Sequence, residues 1–438
     1  MDREKYEAYI SLIKNELVPA LGCTEPIAIA YAAAKAAEVL SKRPEKLIAE
    51  CSGNIIKNVM GVIVPNSDQN KGIAIAATLG AIGGNPDHGL EVLEYISRED
   101  IEYSKTLAAQ GYCQYKLAEG VDNLYVHITA IAGEDTAEVI LAENHTNIVK
   151  IVKNQDVVYE KNMSKGAADT FSKEMTVEEI LEFAKNVDLD RVEDVLRQQI
   201  QCNTAISKEG LEKSYGANIG KTLIKKGNAD FPSRVKGKVA AGSDARMNGC
   251  NMPVVINSGS GNQGLAVSLP VIEYAIENGV SEEKMLRALI VSNLISVYAK
   301  KKIGSLSAFC GAATAAAASG AGIAWLKGWE DRKVEQVAEA TLVNVGGMIC
   351  DGAKSTCAAK LATALDAMLM AMDMLEEGNT FGSDEGLMGS DVEETISNVC
   401  FVGKNGMTQT DVNVLKIMTG EIVTTEKQME ECGGCGQK

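Results

Sequence analysis

Three cysteines in the second half of the chain lie beside small residues, which leave their sulfur atoms open to a bulky partner. Cys310 lies in SLSAFCGAATAAAASGAG, whereas Cys350 and Cys357 lie in NVGGMICDGAKSTCAAK with six residues between them. Three thiolates on one apolar, glycine-lined surface could bind three irons of a four-iron cube and leave the fourth iron open to a substrate. The alternative is that all three are buried cysteines that pack as small hydrophobic side chains, because the compact C-x2-C-x2-C run of ferredoxins is missing.

The chain contains 11 cysteines but only 3 histidines among its 438 residues. The N-terminus lacks a basic segment followed by an apolar core, so we expect no signal peptide, a cytoplasmic location and thiols rather than disulfides. A zinc site is disfavoured because no fourth Cys or His stands nearby to complete a tetrahedral set, and the closely spaced cysteine triplet of radical SAM proteins is absent. With so few histidines, acid–base chemistry should fall to Cys, Lys, Asp, Glu or Tyr.

Cys23, in the segment GCTEP, is predicted to stand immediately before a helix. The helix dipole at that position would lower the pKa of the thiol and favour the thiolate, which could act as a base or a nucleophile. The alternative is an ordinary buried cysteine before a capping turn. We expect Thr24 or Glu25 to cap the helix, and Pro26 suits its first turn.

Two polar segments could contact a substrate, SGNIIKN at residues 52–58 and NSGSGNQG at residues 257–264. The second would open a helix and expose backbone N–H groups that can bind an anion, such as the carboxylate of an amino acid. It is not a Walker loop, because no Lys-Ser/Thr follows at the needed spacing, and the alternative is a flexible turn with capping residues. The residues that we expect to bind substrate are Asn54, Asn58, Ser258, Ser260, Asn262 and Lys354.

The chain ends in ECGGCGQK, which carries Cys432 and Cys435 as a C-x2-C pair. Such a pair could bind a metal or form a redox disulfide, and a tail thiolate could cap an open iron when substrate is absent. The alternative is an unstructured terminus with incidental cysteines. The residues that we expect to serve packing, or to lie on the surface, are Cys51, Cys113, Cys202, Cys250, Cys400, His88, His127 and His145.

The first part of the chain is predicted to hold two helices followed by a mixed region. The helices are expected over residues 3–17 and from Pro26 onward, with a third in KGIAIAATLGAIGG. LIAECSGNII has strand character, and YCQYKLAEG, NLYVHITAIAG, TAEVILAENHT and IVKIVKNQDVVYE each contain an alternating, β-branched core. We expect an antiparallel sheet of about four strands, with at least one helix packed on it.

After about residue 170 the pattern changes to helices rich in Gly and Ala, and no convincing strand is found. Residues 303–326 carry no charge, but Ala, Gly and Ser are only weakly apolar, so a tightly packed buried helix is predicted rather than a membrane span. The expected fold class is therefore α+β. A small mixed domain with an antiparallel β-sheet would occupy residues 1–165, and a larger all-α catalytic domain that carries the three cysteines would occupy residues 166–438.

The net charge of −16 results from 43 Lys and Arg against 59 Asp and Glu. It argues against nucleic acid or an anionic membrane surface as a partner, because both require concentrated positive charge. A small-molecule substrate is the expected partner, and because homo-oligomers are common a homodimer is the default expectation.

Taken together, the motifs GCTEPIAIAYAAAKA, SGNIIKNVMGVIVPN, NSGSGNQG, AFCGAATAAAASGAG and GGMICDGAKSTCAAKLATA resemble the L-cysteine desulfidase family in the same order. This family is related to the catalytic α portion of bacterial iron–sulfur L-serine dehydratases. The resemblance extends from about residue 5 to about residue 420. It implies an oxygen-labile 4Fe–4S cluster held by Cys310, Cys350 and Cys357, with Cys23 at the active site.

The resemblance also implies a reaction, in which L-cysteine loses hydrogen sulfide and yields pyruvate and ammonia. The open iron would act as a Lewis acid on the departing sulfide, with the Cys23 thiolate as the first candidate base and Lys57 as the second. The 257–264 loop, Lys57 or Lys354 would hold the carboxylate. Serine dehydratases of this type carry a Ser/His motif where this chain has SGNIIKN, which favours a thiol substrate over serine. The alternatives are an iron–sulfur L-serine dehydratase, a non-enzymatic iron–sulfur redox sensor, and a scaffold protein with structural cysteines.

Overall fold

The computed structural model describes residues 1–161, 175–225, 229–304 and 306–422. Two helices open the chain, as predicted, α1 (Arg3–Glu16) and α2 (Thr24–Leu40), with a short strand β1 (Pro19–Leu21) between them. The prediction that Thr24 or Glu25 caps α2 is wrong, because Cys23 holds the N-cap position in an extended conformation and makes no side-chain capping bond. Its thiol instead donates to the carboxylate of Glu25.

The sheet has six strands in the order β3-β2-β4-β5-β6-β7. Its strands are β2 (Lys46–Cys51), β3 (Cys113–Leu117), β4 (Tyr125–Ala132), β5 (Asp135–Ala142), β6 (Ile148–Lys153) and β7 (Asp156–Glu160). All neighbours are antiparallel except β2 and β3, which are parallel. The sheet exceeds the predicted four strands because β2 joins it and because IVKIVKNQDVVYE folds back on itself. Asn154 and Gln155 make that turn with positive φ, which Asn tolerates.

Helices cover the inner face of the sheet, where alternate residues of β2 and β4 are buried. They are α2 and α4 (Ile73–Gly83), while α5 (Arg98–Ala109) packs against α4, and α3 (Gly53–Val59) follows β2 and contacts α2. Helix α4 confirms the helix predicted in KGIAIAATLGAIGG, whereas the SGNII part of the predicted strand segment forms α3. A Cβ atom at Gly80 would lie 2.1 Å from the carbonyl oxygen of Ala30, so the contact between α2 and α4 requires glycine there.

The described residues from 175 onward are mainly helical, as predicted. Their helices are α6 (Val177–Asn186), α7 (Glu193–Glu212), α8 (Ile219–Ile224), α9 (Phe231–Met247), α10 (Gly261–Glu277), α11 (Glu282–Ile303), α12 (Gly311–Leu326), α13 (Asp331–Val345), α14 (Cys357–Glu376), α15 (Val392–Phe401) and α16 (Thr408–Thr419). A short 3-10 segment at Leu189–Arg191 and a π turn at Val402–Gly406 lie among them, and another 3-10 segment, Pro86–Glu91, lies earlier in the chain, after α4.

One strand in the helical part contradicts the expectation of no strand after about residue 170. This strand, β8 (Pro253–Val255), pairs antiparallel with β1. The pair brings the segment before Cys23 next to the segment before the 257–264 loop. Three residues are too few to show a periodic pattern, and the partner strand is more than 230 residues away, so no local signal could reveal the pair.

The uncharged segment 303–326 forms the buried helix that the sequence predicts, but the helix begins only at Gly311. Almost every residue of α12 is buried, and none of the described helices is long and apolar enough to cross a membrane. Apolar side chains from both halves of the chain belong to one continuous core. The division into domains at residues 165 and 166 stays a prediction.

Candidate active site

One pocket brings together most of the residues selected from the sequence. It contains about 820 Å³ of space, including its opening to solvent. The predicted residues that line it are Cys23, Asn54, Asn58, Ser258, Ser260, Asn262, Cys310, Cys350 and Cys357. These residues come from both halves of the chain, so the long-range pairing of β1 with β8 contributes directly to the site.

Two loop segments hold Cys310 and Cys350 side by side through an isolated antiparallel bridge. The amide of Cys310 donates to the carbonyl oxygen of Met348 at 2.9 Å, and the amide of Cys350 donates to that of Ala308 at 2.6 Å. Cys310 is also the N-cap residue of α12, in an extended conformation. The backbone therefore fixes both cysteines before any ligand arrives.

The two sulfur atoms interact with each other and with nearby cations. The thiol of Cys310 forms a hydrogen bond with Cys350, which lowers the pKa of Cys350 in spite of its burial. The positive charges of Lys57 and Lys300 act in the same direction. The pKa of Cys310 is correspondingly raised, so Cys350 is the first of the two to ionise.

Cys357 begins α14 and completes the group of three. Its sulfur accepts a hydrogen bond from the amide of Lys354 at 3.4 Å. The preceding loop lies against α3, where a Cβ atom at Gly352 would lie only 2.6 Å from the carbonyl oxygen of Lys57, and Gly352 has a φ of +91°. Glycine is therefore required for the loop to bring Cys357 to the pocket.

The three cysteines that line the pocket are of the residue type that binds iron–sulfur clusters. Within the described ranges, no three His, Cys, Asp or Glu side chains lie close enough to share one metal ion. In a four-iron cube each thiolate binds a different iron, so the sulfur atoms surround a volume rather than one point. Lys300 adds a favourable charge, since it lines the same pocket, is buried, and makes no ion pair with a carboxylate in the part of the chain described. The residues present therefore fit a cluster.

A hydrogen-bonded group around Glu25 lines the same pocket. The Cys23 thiol donates to Oε2 of Glu25 at 2.8 Å, and Nδ2 of Asn58 donates to Oε1 at 2.8 Å. Nε2 of His145 lies 3.9 Å from the same Oε1 atom. Burial would raise the pKa of Glu25, but His145 and the Cys23 thiol outweigh it and lower the pKa. Glu25 is thus a buried, ionised carboxylate that lies directly beside the Cys23 thiol in the pocket.

The predicted low pKa of Cys23 is wrong for this arrangement. Burial raises the pKa of the thiol well above its usual value, and the negative charge of Glu25 raises it further. The charge of Arg246 works in the opposite direction but is weaker. A helix N-terminus contributes only a partial charge, so full burial beside a carboxylate outweighs it.

Lys57 and Lys354 do not line the pocket in the described structure. The Lys57 ammonium is buried and forms an ion pair with Asp411 in α16, whose other oxygen accepts from Nδ2 of Asn54 at 2.6 Å. Nζ of Lys354 donates to the carbonyl oxygens of Lys57 and Ala353. Both lysines are therefore occupied with protein groups, and Asp411 is a supporting residue that the sequence analysis missed.

The predicted anion-binding loop is rigidly shaped. Ser258 and Gly259 have φ values of +51° and +78°, and Ser260 is the N-cap of α10, accepting from the amide of Gln263. The hydroxyl of Thr24 donates to the carbonyl oxygen of Gly259 at 2.9 Å, which ties this loop to the start of α2. The start of α10 therefore faces the pocket beside Cys23.

Two further pocket residues were not predicted to have a role. His145 was expected to be a packing or surface residue, yet it follows β5, is buried and lines the pocket. Arg246, near the end of α9, is 3% exposed and also lines the pocket. An arginine in the small-residue run VAAGSDARMNGC is a signal that could have been noticed, because a charge in a buried helix requires a reason.

Several buried polar atoms that belong to pocket residues have no hydrogen-bond partner among the described residues. They are Oδ1 of Asn54, Asn58 and Asn262, Oε1 of Gln263, Nε2 of His145 and Nε of Arg246. Buried polar groups are normally satisfied, so a pocket with this many unmatched atoms is suited to a small polar ligand with its water. Cys432 and Cys435 lie outside the described residues.

Residues 87–416 match the protein family described as serine dehydratase alpha chain. The chain is also 48% identical to the UPF0597 protein of Lachnoclostridium phytofermentans over 414 residues, which cover 94% of this chain and 99% of the relative. It is 44% identical to the UPF0597 protein of Treponema denticola over 426 residues, covering 95% and 99%. The family match includes Cys310, Cys350 and Cys357 but begins after Cys23.

Proposed function

Because this chain belongs to the serine dehydratase alpha chain family, we propose that it is a cytoplasmic, oxygen-sensitive iron–sulfur lyase that converts L-cysteine into hydrogen sulfide, pyruvate and ammonia. The observation that carries the proposal is the convergence of Cys310, Cys350 and Cys357 on a pocket that Cys23 also lines. This arrangement supplies thiolate ligands and a proton-transferring group in one pocket.

Cys310, Cys350 and Cys357 would hold a 4Fe–4S cluster. When bound, the cluster would supply Lewis acidity for the departing sulfur of the substrate. The protein prepares this position with two backbone hydrogen bonds that fix Cys310 and Cys350, and with the buried Lys300 that offsets the negative charge of the thiolates. The proposed reaction depends on these three cysteines.

Cys23 is the residue best placed to take the α-proton. In the resting arrangement its proton lies in the hydrogen bond to Oε2 of Glu25, so the thiol must first lose this proton to water. Sγ of Cys23 could then accept the proton from the α-carbon of the substrate. Lys57, the second candidate, is paired with Asp411 behind the pocket wall, and this geometry favours Cys23.

The amide side chains of α3 are suited to the ammonium group of an amino acid. Asn54 donates its Nδ2 to Asp411 and Asn58 donates its Nδ2 to Glu25, and these carboxylate partners determine which way each amide faces. Both Oδ1 atoms are consequently left as buried acceptors without a partner in the described part of the chain.

After elimination, the aminoacrylate product would become an imine and hydrolyse in water without further help from the enzyme.

L-Serine is the second candidate substrate, because the family description names a serine dehydratase. The same pocket would then release water in place of hydrogen sulfide. The chain has SGNIIKN, not a Ser/His motif, in the segment that forms α3, and this supports the thiol substrate.

The test is an assay of protein purified without oxygen. We expect a brown protein that contains iron and acid-labile sulfide, and that releases sulfide and pyruvate in equal amounts from L-cysteine. L-Serine should yield pyruvate at a much lower kcat/KM, and D-cysteine serves as the stereochemical control. Faster turnover of serine would assign the dehydratase instead. Iron-loaded protein without any turnover would favour a redox sensor, and metal-free protein would favour structural cysteines.

A further inference from the structure

Arg246 is a buried cation for which the described structure provides no partner. Arg246 is only 3% exposed, and it lines the pocket. Its Nε atom makes no hydrogen bond, and no carboxylate forms an ion pair with its guanidinium among the described residues. A buried charge without a partner is strongly unfavourable, so such an arginine is expected only where an anion joins it.

The backbone around Arg246 is arranged to make room for this side chain. A Cβ atom at Gly261, the first residue of α10, would lie 2.3 Å from Nε and 2.8 Å from Cζ of Arg246. The guanidinium therefore lies directly against the N-terminus of α10, whose amide groups also attract anions. Two independent features, the unpaired cation and the helix start beside it, point to the same ligand chemistry.

The position relative to Cys23 identifies which anion fits. Arg246 is a cation whose charge acts on the Cys23 thiol, and it acts on Cys357 as well. The carboxylate of an amino acid is bonded to the α-carbon, which is the atom that Cys23 must approach. A cation that holds this carboxylate must consequently lie near Cys23.

The other buried cations of the region are less suitable. Lys57 is paired with Asp411, and Lys354 donates to two carbonyl oxygens. Lys300 lines the pocket, but the largest charges that act on it are those of Cys350 and Cys310, two of the three proposed cluster ligands. These contacts remove Lys57 and Lys354 from the carboxylate role that the sequence suggested for them.

We propose that Arg246 binds the carboxylate of the substrate, with its guanidinium and the start of α10 forming one anion site. The inference rests on the proposed function for the identity of the amino acid, but binding can be measured without turnover. The ligand class recognised is a small carboxylate that also bears a thiol on its α- or β-carbon. A guanidinium can form two parallel hydrogen bonds with such a group, which a lysine cannot reproduce.

Two ligands separate the carboxylate from the rest of the substrate. 3-Mercaptopropionate has the thiol and the carboxylate, whereas cysteamine has the thiol and the ammonium group. Titration calorimetry with oxygen-free holoenzyme should show that Arg246→Gln weakens 3-mercaptopropionate about 100-fold, as expected for two lost charge-assisted hydrogen bonds. The affinity for cysteamine should change less than about twofold, and Arg246→Lys should give an intermediate loss of 3-mercaptopropionate binding.

The matched control is Arg234→Gln on the same helix, where the arginine pairs with Glu277 away from the pocket; it should change neither affinity. Thermal unfolding excludes misfolding, because removal of an unpaired buried charge should leave the Tm of ligand-free Arg246→Gln equal to or above that of the wild type. Unchanged 3-mercaptopropionate binding, an equal loss for both ligands, or loss of iron in Arg246→Gln would overturn the proposal. Failure of the wild type to release sulfide would instead overturn the proposed function, while the binding comparison stands.

Discussion

The thiol of Cys23 donates a hydrogen bond to Oε2 of Glu25, two residues further along the chain, across 2.8 Å. This contact explains why Cys23 differs from the thiolate that its place before a helix suggests. Burial and the carboxylate both raise the pKa of the thiol, and Glu25 remains ionised because its own pKa is lowered. The pair therefore stores one proton next to the pocket.

The first prediction concerns the role of Cys23 as a base. Cys23→Ala should keep its iron, since Cys23 is not one of the three proposed ligands, and should lose about 100- to 10,000-fold in kcat, the usual contribution of a general base. Iron analysis and steady-state sulfide release measure the two effects. Cys202→Ala, which changes a cysteine that does not line the pocket, should keep both. A fully active Cys23→Ala enzyme would contradict the assignment.

The second prediction concerns the charge of Glu25. In metal-free protein, Glu25→Gln should lower the pKa of Cys23, because the amide neither repels a thiolate nor accepts the thiol proton as strongly. More thiolate at a fixed pH means faster reaction with iodoacetamide, roughly tenfold for each unit by which the pKa falls. Peptide mass spectrometry measures the rate at Cys23 and, as the internal control, at Cys202. An unchanged or slower rate at Cys23 would show that Glu25 does not hold the thiol protonated.

The third prediction concerns the cluster ligands. Replacing Cys310, Cys350 or Cys357 with Ala should remove most of the iron and acid-labile sulfide and the brown colour, because each would leave one iron without its thiolate. Cys400→Ala is the control, since Cys400 is more deeply buried than the three cysteines and donates to a carbonyl oxygen in α11. Retention of full iron content in any of the three variants would exclude that cysteine as a ligand.

The fourth prediction uses Asp244, a buried carboxylate of α9. Burial raises its pKa from 3.8 to about 6, although Oδ2 accepts from the amide of Gly220. Between these pH values the folded protein keeps a proton that the unfolded chain releases, so the free energy of unfolding decreases as pH rises through this range. Asp244→Asn should abolish this loss and stabilise the metal-free protein at pH 7 by about 2 kcal/mol.

Urea unfolding at pH 4 and at pH 7 measures this effect. The variant and the wild type should have similar stability at the lower pH, where Asp244 is protonated in the folded state, and should differ at the higher pH. A difference of the same size at both pH values would show that the titration of Asp244 is not its cause.

The fifth prediction concerns the contact between α2 and α4. Gly80→Ala would place a Cβ atom 2.1 Å from the carbonyl oxygen of Ala30, and backbone cannot move aside as a flexible side chain can. We expect destabilisation by about 3 kcal/mol despite the better helix propensity of Ala. Gly347→Ala is the control, since a Cβ atom there would meet no atom within 4 Å, and it should change the stability by less than about 0.5 kcal/mol. Equal effects in urea unfolding would contradict the close contact.

Local patterns in the sequence were sufficient for most helices and for the residues with distinctive chemistry. Cys310, Cys350 and Cys357 stand in glycine- and alanine-rich surroundings, and the same composition predicts the close helix packing seen at Gly80. These signals are local because a helix repeats every few residues and a small side chain reveals itself by type alone.

The missed features all depend on contacts between distant parts of the chain. Asp411 reaches Lys57 across more than 350 residues, and β1 meets β8 across more than 230. His145 and Arg246 carry ordinary side chains whose role arises only from burial in a shared pocket. Periodicity and spacing do not encode such contacts. Besides the 257–264 loop, the sequence therefore suggested Lys57 or Lys354 for the carboxylate, although the fold pairs both lysines with other protein groups.

The three proposed cluster ligands, Cys310, Cys350 and Cys357, come from the last third of the chain, whereas Cys23, Glu25 and His145 come from the first third. Variants that lose the cluster and variants that lose proton transfer should therefore carry changes in different parts of the gene. In a library of random variants, protein without the brown colour should carry changes near Cys310, Cys350 and Cys357. Brown protein without activity should carry changes near Cys23, Glu25 and His145. Colour and catalysis would then serve as two separate genetic markers of one site.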